Sequence, residues 1–349
     1  MKSPSVKLFR KLPMRIIAAT TAVDRAYVAA YRNTNAGIND NTCRCFGADW
    51  KETWSSKVEL DPAGICHHPS GVIAVTRNFR TSAGYLYCLD ADSGEVSWRR
   101  NFKSPDRVAP VAIGEDVLIV ADGRLNSFRV SSGKPTWAYT ITQMTYPALA
   151  WPEASAVIVG HFDGMITRVD SRDGTVVWSR KLPGESGGIA RRCGDRLFAA
   201  GWSGPLHQLE PSNGRVVAKS KAKVWSNIVA HGNQLLFQTK HDNDSGYRMG
   251  SINQDDLRTL WELDVPFSAG DANFSPEPVQ VVNGELLVKT HCGPLYAIDI
   301  ERGRINWEIS AAALQRLDPS ATVLGVALII RGQDLWMQAG ERLYKIRGR

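Results

Sequence analysis

The chain has 349 residues, 43% hydrophobic and 22% charged, a balance that excludes a disordered or low-complexity protein. Its net charge is +7, yet the Lys and Arg residues are scattered with no run of five, which argues against a dedicated nucleic-acid tail. A diffuse positive surface instead favours acidic protein partners by electrostatic steering.

Residues 1–13 are basic without an apolar core of signal-peptide length, and the apolar stretch 16–23 is short and closed by Asp24 and Arg25. Nowhere do about twenty apolar residues run together, so no membrane span is expected. The six cysteines, Cys43, Cys45, Cys66, Cys88, Cys193 and Cys292, include no Cys-x-x-Cys. If Cys43 and Cys45 lie on one strand, they share a face with Cα atoms roughly 6.5–7 Å apart, at or beyond the disulfide limit. They read as free thiols, which fit a reducing compartment. These observations together give the expectation of a cytoplasmic protein.

From there the chain repeats, and the eleven tryptophans mark the register. A shortened copy, CRCFGADWKETW, ends at Trp54, and LYCLDADSGEVSW follows at Trp98. LNSFRVSSGKPTW closes at Trp137 and ITRVDSRDGTVVW at Trp178. Two degenerate copies come next, LHQLEPSNGRVVA at Ala218 and MGSINQDDLRTLW at Trp261. LYAIDIERGRINW closes at Trp307. The period is about 42 residues, in the range of propeller and solenoid repeats. Within it, Gly94, Gly133, Gly174, Gly214 and Gly303 each stand four residues before the closing position, and Asp90, Asp170, Glu210 and Asp299 stand four before the glycine.

That spacing describes a β-hairpin. Glycine supplies the positive φ of the turn, and the acidic side chain accepts hydrogen bonds from turn amides. The tryptophan then projects from the outer strand as a body that can wedge between sheets, so Trp54, Trp98, Trp137, Trp178, Trp261 and Trp307 read as structural. In LYAID, Leu295 and Ala297 share one face while Tyr296 and Ile298 share the other. Two further strand-like runs precede each hairpin, as in 278–282 and 285–290. Each repeat is therefore a four-stranded antiparallel meander that cannot bury both faces alone.

The C-terminal runs ATVLGVALII, DLWMQA and RLYKIR supply three strands of a last sheet. Residues 6–13, VKLFRKLP, echo VVWSRKLP at 176–183 with Leu8 in the slot of Trp178, and they supply the fourth. The expectation is an all-β, eight-bladed β-propeller closed by strand 6–13, forming one domain over 1–349, with seven blades as second choice.

Here a family resemblance enters. Ala297, Asp299, Gly303 and Trp307 reproduce a pattern, Ala-x-Asp-x-x-x-Gly-x-x-x-Trp, that resembles the tryptophan-docking motif of PQQ-like (pyrroloquinoline-quinone-type) propellers. The resemblance covers essentially the whole chain. That family holds quinoprotein dehydrogenases and non-enzymatic scaffolds of the BamB type, so the repeat by itself implies no cofactor. The adjacent cysteines and axial carboxylates of the dehydrogenases have no counterpart here, and no cofactor, metal or catalytic residue is expected. His67-His68 reads as an exposed loop pair, GESGG at 184–188 as a connecting loop, and HDNDSG at 241–246 lacks calcium-loop spacing.

Long connections fall at 32–42, 76–85 and 239–248 between second and third strands, and at 58–71, 265–278 and 310–321 between blades. They belong to blades 6, 7, 8, 1 and 2, one arc of one face, as expected of a binding surface. His67, His68, Arg77, Phe79, Arg80, Asp271, Asn273 and Phe274 are its candidate residues, mixing aromatic anchors with charge. The resulting expectation is a monomeric, non-enzymatic interaction module, either a scaffold or an immunity-type protein that masks a toxin. The alternative is a quinone- or small-molecule-binding propeller working through its axial channel.

Overall fold

The computed structural model describes residues 4–12, 14–22, 24–33, 39–78, 80–105, 109–141, 149–151, 155–184, 186–226, 228–240, 247–265, 280–289, 294–317, 326–331, 333–339 and 341–347. They form eight four-stranded antiparallel sheets. Seven sheets take four successive strands: blade 1 spans 15–57, blade 2 61–102, blade 3 111–140, blade 4 149–181, blade 5 186–224, blade 6 229–264 and blade 7 280–309. Blade 8 combines Val326–Arg331, Asp334–Ala339 and Arg342–Arg347 with Ser5–Lys11 from the other end of the chain. First strands touch from blade 1 through blade 6 and between blades 8 and 1, and shared core clusters join blade 7 to blades 6 and 8, so the ring closes.

The closing strand runs from Ser5, opposite Arg347, to Lys11, opposite Arg342, with one irregularity between Leu8 and Arg10. It stops short of the expected Pro13. The Leu12 N–H donates to Glu341 O at 2.7 Å, and the chain then enters blade 1. Buried Gln338 fastens that entry: its Nε2 donates to Met14 O at 2.6 Å and its Oε1 accepts from Ile16 N at 2.7 Å.

Apolar side chains on both faces of each sheet give eight core clusters, one at each joint between consecutive blades. Leu295 and Ala297 face blade 8, whereas Tyr296 and Ile298 face blade 6, as strand alternation requires.

Five joints share one geometry. The indole N–H of Trp54, Trp98, Trp137, Trp178 and Trp261 donates to the carbonyl of Ala91, Val130, Ser171, Pro211 and Ile300 in the next blade, at 2.6–3.0 Å. Each ring lies on the turn glycine of that blade. A β-carbon built on Gly94 would lie 2.5 Å from Trp54 Cε3, and one on Gly174 would lie 2.7 Å from Trp137 Cε3. These glycines also sit at φ 76° and 78°, so both backbone and packing require them. In the turns, Asp90 Oδ1 accepts from the Asp92 and Ser93 amides, and Asp299 Oδ1 from those of Glu301 and Arg302.

The other three joints depart from this geometry in a way the repeat did not disclose. Blade 5 carries Ala218 where the indole belongs, and blade 6 answers with Leu257 where the glycine belongs, at φ 56° and buried against Ala218. Blade 8 carries Leu8, and blade 1 answers with Trp50, at φ 58° and fully buried. Arg10 Nη1 and Arg331 Nη1 hold that turn by donating to Trp50 O and Gly47 O at 2.5 and 2.7 Å. At the joint of blades 7 and 8 no turn exists to receive Trp307, because the third and fourth strands of blade 8 come from opposite ends of the chain. The Trp307 indole donates instead to Glu285 Oε2 of its own blade, at 3.0 Å.

Candidate interaction faces

The two rims of the ring carry different connections. One rim holds the connections between blades and those between second and third strands; the other holds the first-to-second and third-to-fourth turns. Arg77 ends the second strand of blade 2, opposite Asp61, and so lies on the first rim. Asn78 shapes the following loop by accepting from the amides of Arg80 and Thr81 at 2.8 and 3.1 Å, which leaves Arg80 exposed. Phe79, Asp271, Asn273 and Phe274 lie outside the described residues.

His67 and His68 do not join this arc. Most of the segment 58–71 is the inner strand of blade 2, Asp61–His68, so only three residues connect the blades there. His68 pairs with Gly71 at the far end of that strand, on the opposite rim from Arg77. Nor is the pair exposed. His68 is buried, with Nε2 2.8 Å from Gly114 O and Nδ1 accepting from Ser70 N at 3.0 Å, which fixes one neutral tautomer. His67 stacks on Tyr27 with ring centroids 5.4 Å apart, and burial, then the neighbouring His68, holds its pKa below the usual histidine range. The pattern DPAGICHH hid this because Pro62 and Gly64 read as loop residues. Gly64 is required by a close approach of Ala109, whose Cα would lie 2.7 Å from a β-carbon there.

Two further segments differ from expectation. Ser186–Cys193 is the inner strand of blade 5, so the end of GESGG is strand rather than loop, and residues 310–321 contain a helix, Ala311–Leu317, that buries Leu314 between blades 7 and 8. HDNDSG lies outside the described residues. Among the described residues, no group of three or more His, Cys, Asp or Glu side chains gathers as a metal site, and no helix is long and apolar enough to cross a membrane.

Cys43, Cys45, Cys66, Cys88 and Cys193 are free, the first two on one strand, and Cys292 lies outside the described residues. Burial pushes the thiols of Cys43 and Cys66 up to about 12 and those of Cys88 and Cys193 up to about 11. Thiolate, the reactive form, is thereby suppressed.

Eight four-stranded sheets around a ring, with the Gly-x-x-x-Trp hairpin recurring, define a PQQ-like β-propeller. Residues 39–161 and 162–333 match the family described as outer membrane protein assembly factor BamB, and the chain belongs to that family. It is 24% identical over 243 residues to BamB of Shewanella oneidensis, a match covering 64% of this chain and 58% of that protein. With BamB of Yersinia pestis it shares 23% over 265 residues, 71% of this chain and 64% of the other. The chain thus spans less than two thirds of the length of either relative. Among solved structures, BamB from Moraxella catarrhalis superimposes with a TM-score of 0.66 at 16% identity, covering 98% of this chain and 97% of that one. A quinohemoprotein alcohol dehydrogenase from Pseudomonas putida HK5 gives 0.64 at 11%, covering all of this chain and 76% of that one. At such identities these likenesses establish the fold alone.

The expectation of a cytoplasmic protein is overturned, because the relatives are outer membrane protein assembly factors. Its physical premise was also weak. Free thiols mark a reducing compartment only when they can react, and here burial withholds them.

Proposed function

We propose that this chain is a non-enzymatic protein-interaction propeller that serves as an accessory scaffold in outer membrane protein assembly. The family match over residues 39–333 carries the reading, because the matching family is described as outer membrane protein assembly factor BamB. It favours a scaffold over a toxin-masking immunity protein. The fold likeness to a quinohemoprotein dehydrogenase adds no site residue to the alternative of a quinone-binding propeller. On this reading a partner meets the loop-bearing rim around blades 1 and 2, with Arg77 and Arg80 among its contacts.

The test is stoichiometric capture. A tagged chain expressed in its own host, followed through envelope fractionation, is expected to co-purify with one or more outer membrane assembly components. Arg77→Glu/Arg80→Glu is expected to weaken that capture about tenfold without lowering the melting temperature. Recovery of the chain alone, or capture indifferent to the substitution and to fractionation, would reject the reading.

A further inference from the structure

Building on that scaffold reading, we propose a second contact surface on the outer wall of blades 4 and 5, where an acidic, extended segment of a partner protein adds to the exposed edge of blade 5. The outer strand of blade 5, Val216–Val224, is nine residues long, whereas the other seven outer strands have six or seven. It is the last strand of its sheet, so one backbone edge is unpaired. Ala218, Ala222 and Val224 pack toward blade 6 and Ser220 is buried, while Lys219, Lys221 and Lys223 are exposed between them; Val216, across a register shift, packs toward blade 4 instead. Pairing with the third strand shifts register between Lys223 and Lys219, so the three ammonium groups stand on a bulged strand, on the side where alternate side chains of an added strand would lie.

The charge of Lys219 and Lys221 lacks local compensation among the described residues. Lys219 and Lys221 are exposed and form no ion pair among the described residues. Arg180, on the outer strand of blade 4, extends the same field. Both reach His207, which is buried in the third strand of blade 5 opposite Lys219 and has no partner at Nδ1. Burial first, then Lys219, then Arg180, holds the His207 pKa below the usual histidine range, partly offset by a backbone hydrogen bond at Pro205. A carboxylate-bearing strand would neutralise that field while pairing the open edge. Lysines on an edge strand also deter self-aggregation, so the row discriminates: it repels a second copy of itself and admits its charge complement.

The experiment titrates the full chain with a fluorescein-labelled seven-residue peptide alternating Glu and Val, at low and moderate salt. Saturable binding is expected, weakened about tenfold or more by Lys219→Glu/Lys221→Glu and unchanged by the charge-matched control Lys51→Glu/Lys57→Glu on blade 1. The His207 ring resonance should titrate at higher pH when peptide is bound, because the added carboxylates oppose Lys219 and Arg180. A peptide of equal charge interrupted by proline should bind at least several-fold more weakly, since it cannot pair the edge. Equal loss in the control, an unmoved His207 midpoint, equal binding of the proline peptide, or binding of anionic phospholipid vesicles without binding of the peptide would each overturn the proposal. Should the double reversal fail to fold, Lys221→Gln provides the same comparison with a smaller effect. The loop-bearing rim is untouched by Lys219→Glu/Lys221→Glu, so failure here leaves the capture experiment and its reading standing.

Discussion

The joint of blades 5 and 6 offers a direct exchange of parts. Elsewhere an indole rests on glycine; here Ala218 leaves the space and Leu257 fills it from the other side. Ala218→Trp alone drives the ring onto Leu257, an overpacking expected to cost about 1–3 kcal/mol. Leu257→Gly alone forfeits a buried leucine, worth about 2–5 kcal/mol by analogy with truncation to alanine, and recovers about 1–2 kcal/mol from a residue held at positive φ. Independent effects would add to about 3–5 kcal/mol. Complementary ones would cancel, because the double variant rebuilds the geometry of the five regular joints. Its indole would find the Gln254 carbonyl as acceptor, one residue beyond Asn253, just as Ala91 follows Asp90; that carbonyl already accepts from Arg196 at 2.9 Å but has a second lone pair. The double variant is therefore expected within about 1 kcal/mol of the parent, a coupling of about 2–4 kcal/mol. Urea unfolding of all four proteins, followed by far-ultraviolet circular dichroism, measures it. A double variant as unstable as the two single ones combined would refute the idea that the joints are interchangeable.

Trp137→Ala removes a nearly buried indole and orphans Ser171 O, at an expected cost of about 3–5 kcal/mol in the same assay, and a loss below about 1 kcal/mol would show that the ring supports nothing. Gln338→Leu leaves Met14 O and Ile16 N without partners at the closing seam, so about 2–4 kcal/mol should be lost, and Gln338→Glu, which sets a buried carboxylate oxygen against Met14 O, should lose at least as much at neutral pH. Burial holds the pKa of His67, His161 and His207 below the usual value, so the unfolded chain protonates first. Their stabilising contribution is complete above about pH 6.5 and falls as pH drops toward the folded values; melting temperatures from pH 7.5 to 5 should decline, and more gently in His161→Gln. Asp170, held at about 2 chiefly by Arg172, adds a loss that sets in as pH falls through the ordinary carboxylate range and continues down through about 2. Native Cys43, Cys45 and Cys88 should resist a maleimide reagent that labels them in urea, and rapid native labelling would contradict the suppressed thiolates.

The hairpin spacing carried the blade count and the closure, because a turn glycine under an indole tolerates no other side chain and so recurs visibly. It could not carry the joints of Ala218 with Leu257 and of Leu8 with Trp50, where the same space is filled by an opposite choice of residues about forty positions apart. His67 and His68 misled for a related reason. Pro62 and Gly64 have the composition of a loop, and only the neighbouring blade explains why a strand needs them. The lysine row was in plain view as VVAKSKAKV, yet its outward direction depends on which edge of the sheet lies outside.

The seam in blade 8 also sets an order of events. Ser5–Lys11 is synthesised long before Arg342–Arg347, the strand it must lie beside. Until Arg342–Arg347 has been made, the earlier strand has no seat and the ring stays open, so the last sheet closes across the longest separation in the fold.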